Sequence, residues 1–358
     1  MINPDINKAR TLPSYFYRNE IYFKQLRERA FRNNWNFAGA FTDDDEINVK
    51  PVTILEGLID EPVVLTRGKT GETHCLSNVC THRGSIVVDE PGQEMMLRCK
   101  YHGRCFGLNG RFRSMPGFED VEGFPSEADN LARITSRAIG PMQFLRLDGD
   151  VSWESRFAAI LDSMSWIDHD VLTYRPACSR DYFIDAHWAL YVENYLEGFH
   201  VPFVHPGLNK SLEVEAYEVD LFDGGALQIG VANENESALI DIPPGTRFDG
   251  QRIYALYWWL FPNLMFNYYP WGISLNVVEP VTGDKTRVRF LTFAYRDLPD
   301  PDVSGLHQTE LEDERVVESV ARGMRSSFYE TGRYSPKHER AVHHFHRMLA
   351  GVVGDGGL

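Results

Sequence analysis

A chain of 358 residues has room for two domains, and a hydrophobic content of 43% gives each a core to bury. Lys and Arg total 36 against 51 Asp and Glu, a net charge of −15, which argues against nucleic acid or an anionic membrane as partner and suits a basic electron-donor protein. No apolar run of about 18 residues occurs, so no membrane span is expected, and the polar start (Asp5, Lys8, Arg10) does not read as a signal peptide.

In chain order, residues 14–35 read as helix, with Tyr15, Phe16, Ile21, Tyr22, Phe23, Leu26 and Phe31 near helical spacing among charged residues. Residues 40–150 read as strands. Pro51–Ile54, Pro62–Leu65 and Met95–Arg98 are short β-type runs between breakers such as Gly57, Gly68, Gly71 and Pro91-Gly92. Cys105-Phe106 and Arg111-Phe112 flank Gly107-Leu108-Asn109-Gly110, a hairpin signal. Within this region two loops stand out: Cys80-Thr81-His82-Arg83-Gly84 and Cys99-Lys100-Tyr101-His102-Gly103. Each offers one thiol and one imidazole, the set required by a Rieske-type [2Fe–2S] centre, in which two thiolates hold one iron and two imidazoles the other. Gly84 and Gly103 allow tight turns beside it. A structural zinc held by two Cys and two His is the alternative, although such sites more often open with two Cys two to four residues apart. The chain has 5 Cys. The cluster takes two, and Cys75, Cys105 and Cys178 are expected to be buried thiols in a reducing cytoplasm.

Residues 151–180 look mostly helical, with Phe157, Ile160, Leu161 and Met164 on one face. From about 214 to 295 the pattern is antiparallel strand: Ile253–Phe261, Leu264–Tyr269, Ser274–Val281 and Thr286–Tyr295. Residues 305–329 return to helix, and His343, His344 and His346 on a later helical stretch read as packing and surface. Of the aromatic set Tyr254, Tyr257, Trp258, Trp259, Phe261, Tyr268, Tyr269 and Trp271, most are expected in the core and a few in a pocket. A sheet curled around a long helix, with the β domain inserted after the first helix, would bury these stripes: an α+β protein.

Between these halves lies Glu193-Asn194-Tyr195-Leu196-Glu197-Gly198-Phe199-His200, continuing to Pro202 and His205. A helix ending near His200 would put Glu197 and His200 one turn apart, with Pro202 stopping it so that His205 swings back beside His200. Two His and one carboxylate on one face of Fe(II) leave positions open for O2 and substrate. The third ligand must come from elsewhere, and Asp313 is the choice. Glu310, Glu312 and Glu314 are its neighbours, and acids early in a helix are favoured by its dipole anyway.

Together these motifs resemble the Rieske non-haem iron oxygenase α subunits, the ring-hydroxylating oxygenase family, and within it the choline-monooxygenase-like and carnitine-oxygenase-like branch. The Cys-x-His and Cys-x-x-His loops lack the extra Cys pair of respiratory Rieske proteins and the Ser after the second His-Gly. The missing hydroxyl implies a potential in the lower Rieske range. The resemblance covers about residues 14–350. It implies a helix-grip (Bet v 1-like) catalytic domain and a division into 1–39 (helical part of the catalytic domain), 40–150 (Rieske domain) and 151–358 (catalytic mononuclear-iron domain). Cys80, His82, Cys99 and His102 would hold the cluster, and His200, His205 and Asp313 the mononuclear Fe(II). Glu197 and Asn194 are the candidate catalytic residues, Glu197 bridging a neighbour's His102 to its own His200. A homotrimer is implied, using O2 and electrons from NAD(P)H through a flavin/iron–sulfur reductase, with or without a ferredoxin, to oxidise an aromatic or quaternary ammonium substrate. Three departures stand out. Glu197 replaces the Asp usual in ring-hydroxylating members, Phe199 a Tyr, and Arg104 a Trp, for which a surface contact with the electron donor is one reading. A Rieske electron-transfer protein without oxygenase activity is the alternative; such a carrier would lack the Glu193–His205 stretch.

Overall fold

A computed structural model describes residues 2–41 and 46–354. The chain forms two compact units, Trp35–Gly149 and a discontinuous one made of Met1–Asn34 and Asp150–Leu358, so the first is inserted into the second.

The inserted unit contains three three-stranded antiparallel sheets. The first has β1 (Trp35–Ala40) paired to β9 (Met142–Arg146), and β9 to β8 (Thr135–Ile139). The second runs β2 (Val49–Ile54), β3 (Glu61–Arg67), β4 (Thr73–Ser77). In its middle strand Val63, Val64, Leu65 and Thr66 are all fully buried, as a strand covered on both faces must be. The third is a short meander of β5 (Leu97–Arg98), β6 (Cys105–Phe106) and β7 (Phe112–Ser114). The expected hairpin is present at Gly107–Gly110, but the strand expected from Met95 begins only at Leu97. Its partner β6 is two residues long, and Met95 is left 83% exposed. Cys80 and Cys99 pack into one core with Val49, Val64, Leu76, Val87, Leu97, Phe106 and Leu131, so both cluster loops are anchored in apolar packing.

The larger unit opens with α1 (Glu20–Leu26), shorter than the expected 14–35. Asn19 explains the start: its backbone is extended, and its side chain accepts from the Ile21 and Tyr22 N–H groups as a cap. Arg27–Phe31 then widens into a π turn. After the insertion comes α2 (Trp153–Ser163), capped by Ser152. The helix expected to continue toward 180 stops there. Instead β10 (Leu172–Tyr174) and β11 (Arg180–Ile184) lie end to end on one edge of the eleven-residue β17 (Lys285–Tyr295), and sheet pairing overrides local propensity. The eight-stranded antiparallel sheet continues through β16 (Gly272–Thr282), β15 (Leu264–Tyr269), β14 (Ile253–Leu260) and β13 (Gly225–Val231) to β12 (Glu218–Phe222).

The register sorts the side chains. Leu227, Trp258, Phe266, Leu275 and Leu291 form one cross-strand row, all buried; Phe266 meets Phe157 of α2. The adjacent row, Gln228, Tyr257, Asn267 and Ser274, points the other way because side chains alternate. On that face lie α3 (Trp188–Tyr195), the short α4 (Val201–Val204), α5 (Ser304–Gly323) and α6 (Arg340–Val353). There α3 packs on α5 and β16, and Trp188 and Trp259 both meet Phe345 of α6 edge-on. The expected 305–329 helix ends at Gly323, a poor helix former. His343, His344 and His346 serve packing: the first two sit 2.8 and 2.9 Å from the Asn3 and Phe222 carbonyls, while fully buried His346 meets the Tyr334 hydroxyl at 2.6 Å. Cys75 and Cys105 are buried as expected and Cys178 is half-buried; burial pushes the Cys75 thiol up to about 11. Among the described residues no helix is long and apolar enough to cross a membrane.

Candidate iron centres and substrate cavity

The two cluster loops share one backbone frame. Gly84 N–H donates to Cys80 O and Gly103 N–H to Cys99 O, both at 3.0 Å; Cys80 N–H donates to Ser85 O (2.8 Å) and Cys99 N–H to Arg104 O (2.9 Å). Both glycines need left-handed φ, +72° and +76°. The thiols are buried and face each other, whereas His102 is exposed and His82 half-buried, their ring centroids 4.8 Å apart. Burial raises Cys80. At Cys99 burial is outweighed by the N–H groups of Tyr101 and His102 and the Ser85 hydroxyl, which lower it. Two buried sulfurs served by N–H donors, with two imidazoles at the rim, fit a cluster with a thiolate iron inside and an imidazole iron outside.

Arg104 is not a surface contact: it is 2% exposed. Its guanidinium donates to Thr81 Oγ1 (2.7 Å) and Asp129 Oδ1 (3.1 Å) and lies within 5.7 Å of the Phe112, Phe118 and Phe124 ring centres. Thr81 belongs to one cluster loop and Arg104 ends the other, so the side chain ties them together.

In the larger unit α3 ends at Tyr195, so the helix expected to reach His200 stops short. A turn held by Glu197 replaces it. Oε2 of Glu197 accepts from the backbone N–H groups of Phe199 and His200, and Oε1 sits 2.7 Å from His200 Nδ1. Pro202 likewise does not stop a helix; it lies in the first turn of α4, where its missing N–H costs nothing, and α4 delivers His205. His205 Nδ1 is 2.8 Å from Glu312 Oε2. With both Nδ1 atoms engaged by carboxylates, both Nε2 atoms turn inward, 3.1 Å apart and 3.4 and 3.0 Å from Asp313 Oδ1. Asn194 Nδ2 donates to the same oxygen at 2.6 Å. His200, His205 and Asp313 thus converge as a group able to hold a metal ion. Two imidazoles and one carboxylate on one side are the donor set of non-haem Fe(II), and the carboxylate behind each imidazole fixes its tautomer. Burial would lower His200, but hydrogen bonds to Asp313 and Glu197 push it up to about 9; burial would raise Asp313, but the two imidazoles hold it below the usual range.

The acids at 310–314 lie beyond the first turn of α5, so the helix dipole does not account for them. Three of them have separate roles. Asp313 faces the imidazoles, Glu312 supports His205, and Glu310 takes the Tyr191 hydroxyl (2.6 Å). Sequence reasoning finds Glu312 only as a neighbour of Asp313. Glu193, adjacent to Asn194, is also engaged: it accepts from Tyr17 (2.7 Å) and lies 3.1 Å from His346 Nε2.

The triad opens on a cavity of about 430 Å³. Tyr254, Tyr257, Tyr269 and Trp271 line it, while Trp258, Trp259, Phe261 and Tyr268 are core. Tyr254 and Tyr257 should face opposite ways by alternation. A bulge between β13 and β14 inserts Tyr254 as an unpaired extra residue and turns both to the cavity. Tyr254 and Tyr257 each meet Tyr269 edge-on, at 6.4 and 6.2 Å, and Trp271 stacks on Tyr269 at 5.2 Å. Burial raises all three tyrosine hydroxyls, keeping them neutral.

An inserted β domain with a two-thiol, two-imidazole site, carried by a unit with an open two-His, one-carboxylate triad, defines a Rieske non-haem iron oxygenase. The family model for the ring hydroxylating alpha subunit (catalytic domain) matches residues 170–355, just over half the chain, and that for the Rieske [2Fe-2S] domain matches 43–125. The chain belongs to the ring-hydroxylating α subunit family. It is the terminal oxygenase of a Rieske system, an O2-dependent oxidoreductase with a [2Fe–2S] cluster and a mononuclear iron, supplied with electrons by a reductase. It is 28% identical to the chloroplastic choline monooxygenase of Arabidopsis thaliana over 96% of this chain and 83% of that protein. To the carnitine monooxygenase oxygenase subunit of Escherichia coli (strain K12) it is 27% identical over 97% of this chain and 95% of that protein. The crystal structure of the quaternary ammonium Rieske monooxygenase CntA superposes with a TM-score of 0.80 at 22% identity, covering 98% of this chain and 97% of that one. Naphthalene 1,2-dioxygenase from Rhodococcus sp. gives 0.75 at 18%, covering 97% and 95%, which extends the shared fold.

His200→Ala, His205→Ala and Asp313→Ala should each release mononuclear iron while the cluster's visible spectrum persists, checked by iron assay and absorbance. Equal release from Glu314→Ala would mean that the carboxylate is misassigned. In the inserted unit, Arg104→Met should cost about 2–3 kcal/mol through lost charge-assisted hydrogen bonds, seen as an earlier midpoint for loss of cluster absorbance in urea. Lys100→Ala, which removes an exposed pair with Asp89, should leave that midpoint in place.

Proposed function

We propose that this oxygenase oxidises a C–H bond of a small quaternary ammonium substrate. The observation that carries the reading is the triad opening on a cavity walled by aromatic rings, among them Tyr254, Tyr257, Tyr269 and Trp271. Neutral ring faces attract a cation that cannot hydrogen-bond, and their flat surfaces bury its methyl groups. The relatives named for choline and carnitine oxidation support it.

In this reading Cys80, Cys99, His82 and His102 would hold the [2Fe–2S] cluster, the thiolates on one iron and the imidazoles on the other, and His200, His205 and Asp313 would hold the mononuclear iron. That iron, when bound, supplies the centre at which O2 is reduced beside the substrate. The chain's own residues prepare it. Glu197 and Glu312 each hold an Nδ1 proton, leaving the two Nε2 lone pairs free for the metal. Asn194 fixes the Asp313 oxygen shared by both imidazoles. The tyrosines and Trp271 position the ammonium group and exclude water. One oxygen atom enters the C–H bond and the other leaves as water, consuming two electrons and two protons.

The electrons come from a flavin/iron–sulfur reductase, with or without a ferredoxin. In the assembly proposed here, a homotrimer, Glu197 links His200 to His102 of the next subunit. The exposed Phe199 and Phe203 beside Glu197, and Tyr101 beside His102, are apolar surface suited to such a junction. A structure of the carnitine-oxidising relative is likewise described in terms of inter-subunit electron transfer. The unpaired thiols fit a reducing compartment, the cytoplasm.

With a surrogate reductase, O2 uptake should be stimulated by quaternary amines and not by aromatic acids; stimulation by aromatic acids alone overturns the reading. Glu197→Gln should keep both metals but slow cluster reoxidation by about 10–100-fold in stopped flow. A Cys99→Ala chain and a His200→Ala chain, each inactive alone, should regain activity in mixed trimers. No regain, with normal reoxidation in Glu197→Gln, removes the inter-subunit route.

A further inference from the structure

One carboxylate of the cavity plays no part in holding iron. Glu310 lies on α5 one turn before Asp313, so it shares a face with that ligand. It lines the cavity and is 2% exposed. Its Oε2 accepts from the Tyr191 hydroxyl at 2.6 Å, and its Oε1, buried, has no partner. Leaving a buried carboxylate oxygen unmatched is costly unless something else completes it. No Lys or Arg does so: among the described residues lining the cavity neither occurs, whereas Glu197, Asp302, Glu310, Glu312 and Asp313 are all there. The permanently cationic side chains that could pair with Glu310, or receive a substrate's carboxylate, are therefore absent from the described lining.

Resting on the quaternary ammonium reading, and narrowing it, we propose that Glu310 is the counter-charge for the substrate's ammonium group and that the cavity takes small cations bearing no carboxylate of their own. A zwitterionic amino acid betaine would bring its anion against a wall of acids with no guanidinium to pair it, and like-charge juxtaposition is the effective means of rejection. A choline-like cation brings no anion to be rejected. Glu310 lies one helical turn from Asp313, so an ammonium group paired with it would carry the carbon atoms attached to nitrogen toward the reacting centre. Burial holds Glu310 well above the usual carboxylate range when the cavity has no cation in it. A cation entering the cavity favours the ionised form, so binding is coupled to release of one proton from Glu310 to solvent.

The test is equilibrium binding to the iron-loaded, anaerobic enzyme by calorimetry, which does not depend on turnover. The probes are choline, its neutral tert-butyl analogue, carnitine and γ-butyrobetaine. Wild type should bind choline at least about tenfold more tightly than the neutral analogue and than either carboxylate-bearing probe. Heats measured in two buffers of different ionisation enthalpy should show proton release with choline alone. Glu310→Gln keeps the length and the acceptor for Tyr191; it should bring choline down to the level of the neutral analogue, leave that analogue's affinity unchanged, and abolish the proton release. Carnitine binding as tightly as choline, or choline binding unaffected by Glu310→Gln, overturns the inference while leaving the quaternary ammonium reading intact. If no quaternary amine binds and an aromatic acid does, the broader reading falls and takes this one with it.

Discussion

A mostly buried carboxylate, Asp313, has to be matched by groups that can accept its charge, and the catalytic unit is arranged to supply them. Two imidazole nitrogens and the Asn194 amide converge on one of its oxygens. Two imidazoles so close together would turn their N–H bonds in varying directions if nothing held them. Glu197 and Glu312 fix them from behind, and those acids can do so only because the turn after α3 and the face of α5 are brought into register. The packing of α3 on α5 and β16 and the anchoring of Glu193 by Tyr17 follow from that requirement. A metal ion adds to a geometry that the protein's hydrogen bonds already impose.

The rest of the unit is a matter of strand phase. Along the central strands one row of side chains is wholly apolar and meets α2, while the next carries Gln228, Tyr257, Asn267 and Ser274 toward the helices. Those polar groups are bonded among themselves and to α3: Tyr195 donates to Asn267, and Gln228 donates to the Tyr195 carbonyl. The cavity's floor is therefore fixed by a network rather than by loops, and a rigid floor is what positions a small substrate against a metal.

How much of this is legible in the sequence depends on distance along the chain. The four residues proposed to hold the cluster sit in two short loops whose spacing is itself the signal, and His200 and His205 lie five residues apart. The strand runs from 253 to 295 are legible nearly to the residue, since alternation and turn residues are local. Asp313 needs a family spacing to be chosen from four acids, and nothing local singles out Glu312, whose role exists only once α5 meets His205. Tertiary pairing overrides the helical reading of 172–180 because β17 is long enough to recruit two edge strands. The division of eight aromatic residues between core and cavity turns on a bulge that shifts the phase at Tyr254. Arg104 reads wrongly as a surface residue because a charged residue in a loop carries no sign of the three phenylalanines that enclose it.

The unlike surroundings of the two cluster imidazoles have a consequence of their own. The backbone frames of the two loops match, yet the histidine stands two residues after one cysteine and three after the other. One ring, His82, is half-buried with the edge of Phe118 against it at 5.4 Å, while His102 projects outward beside Tyr101, which is 57% exposed. Electron tunnelling weakens steeply with every additional ångström of intervening protein. His82 is the more enclosed ring and His102 the more open one, so an electron passing by way of His102 has less protein to cross, and the two rings offer the site unequal routes to its surroundings.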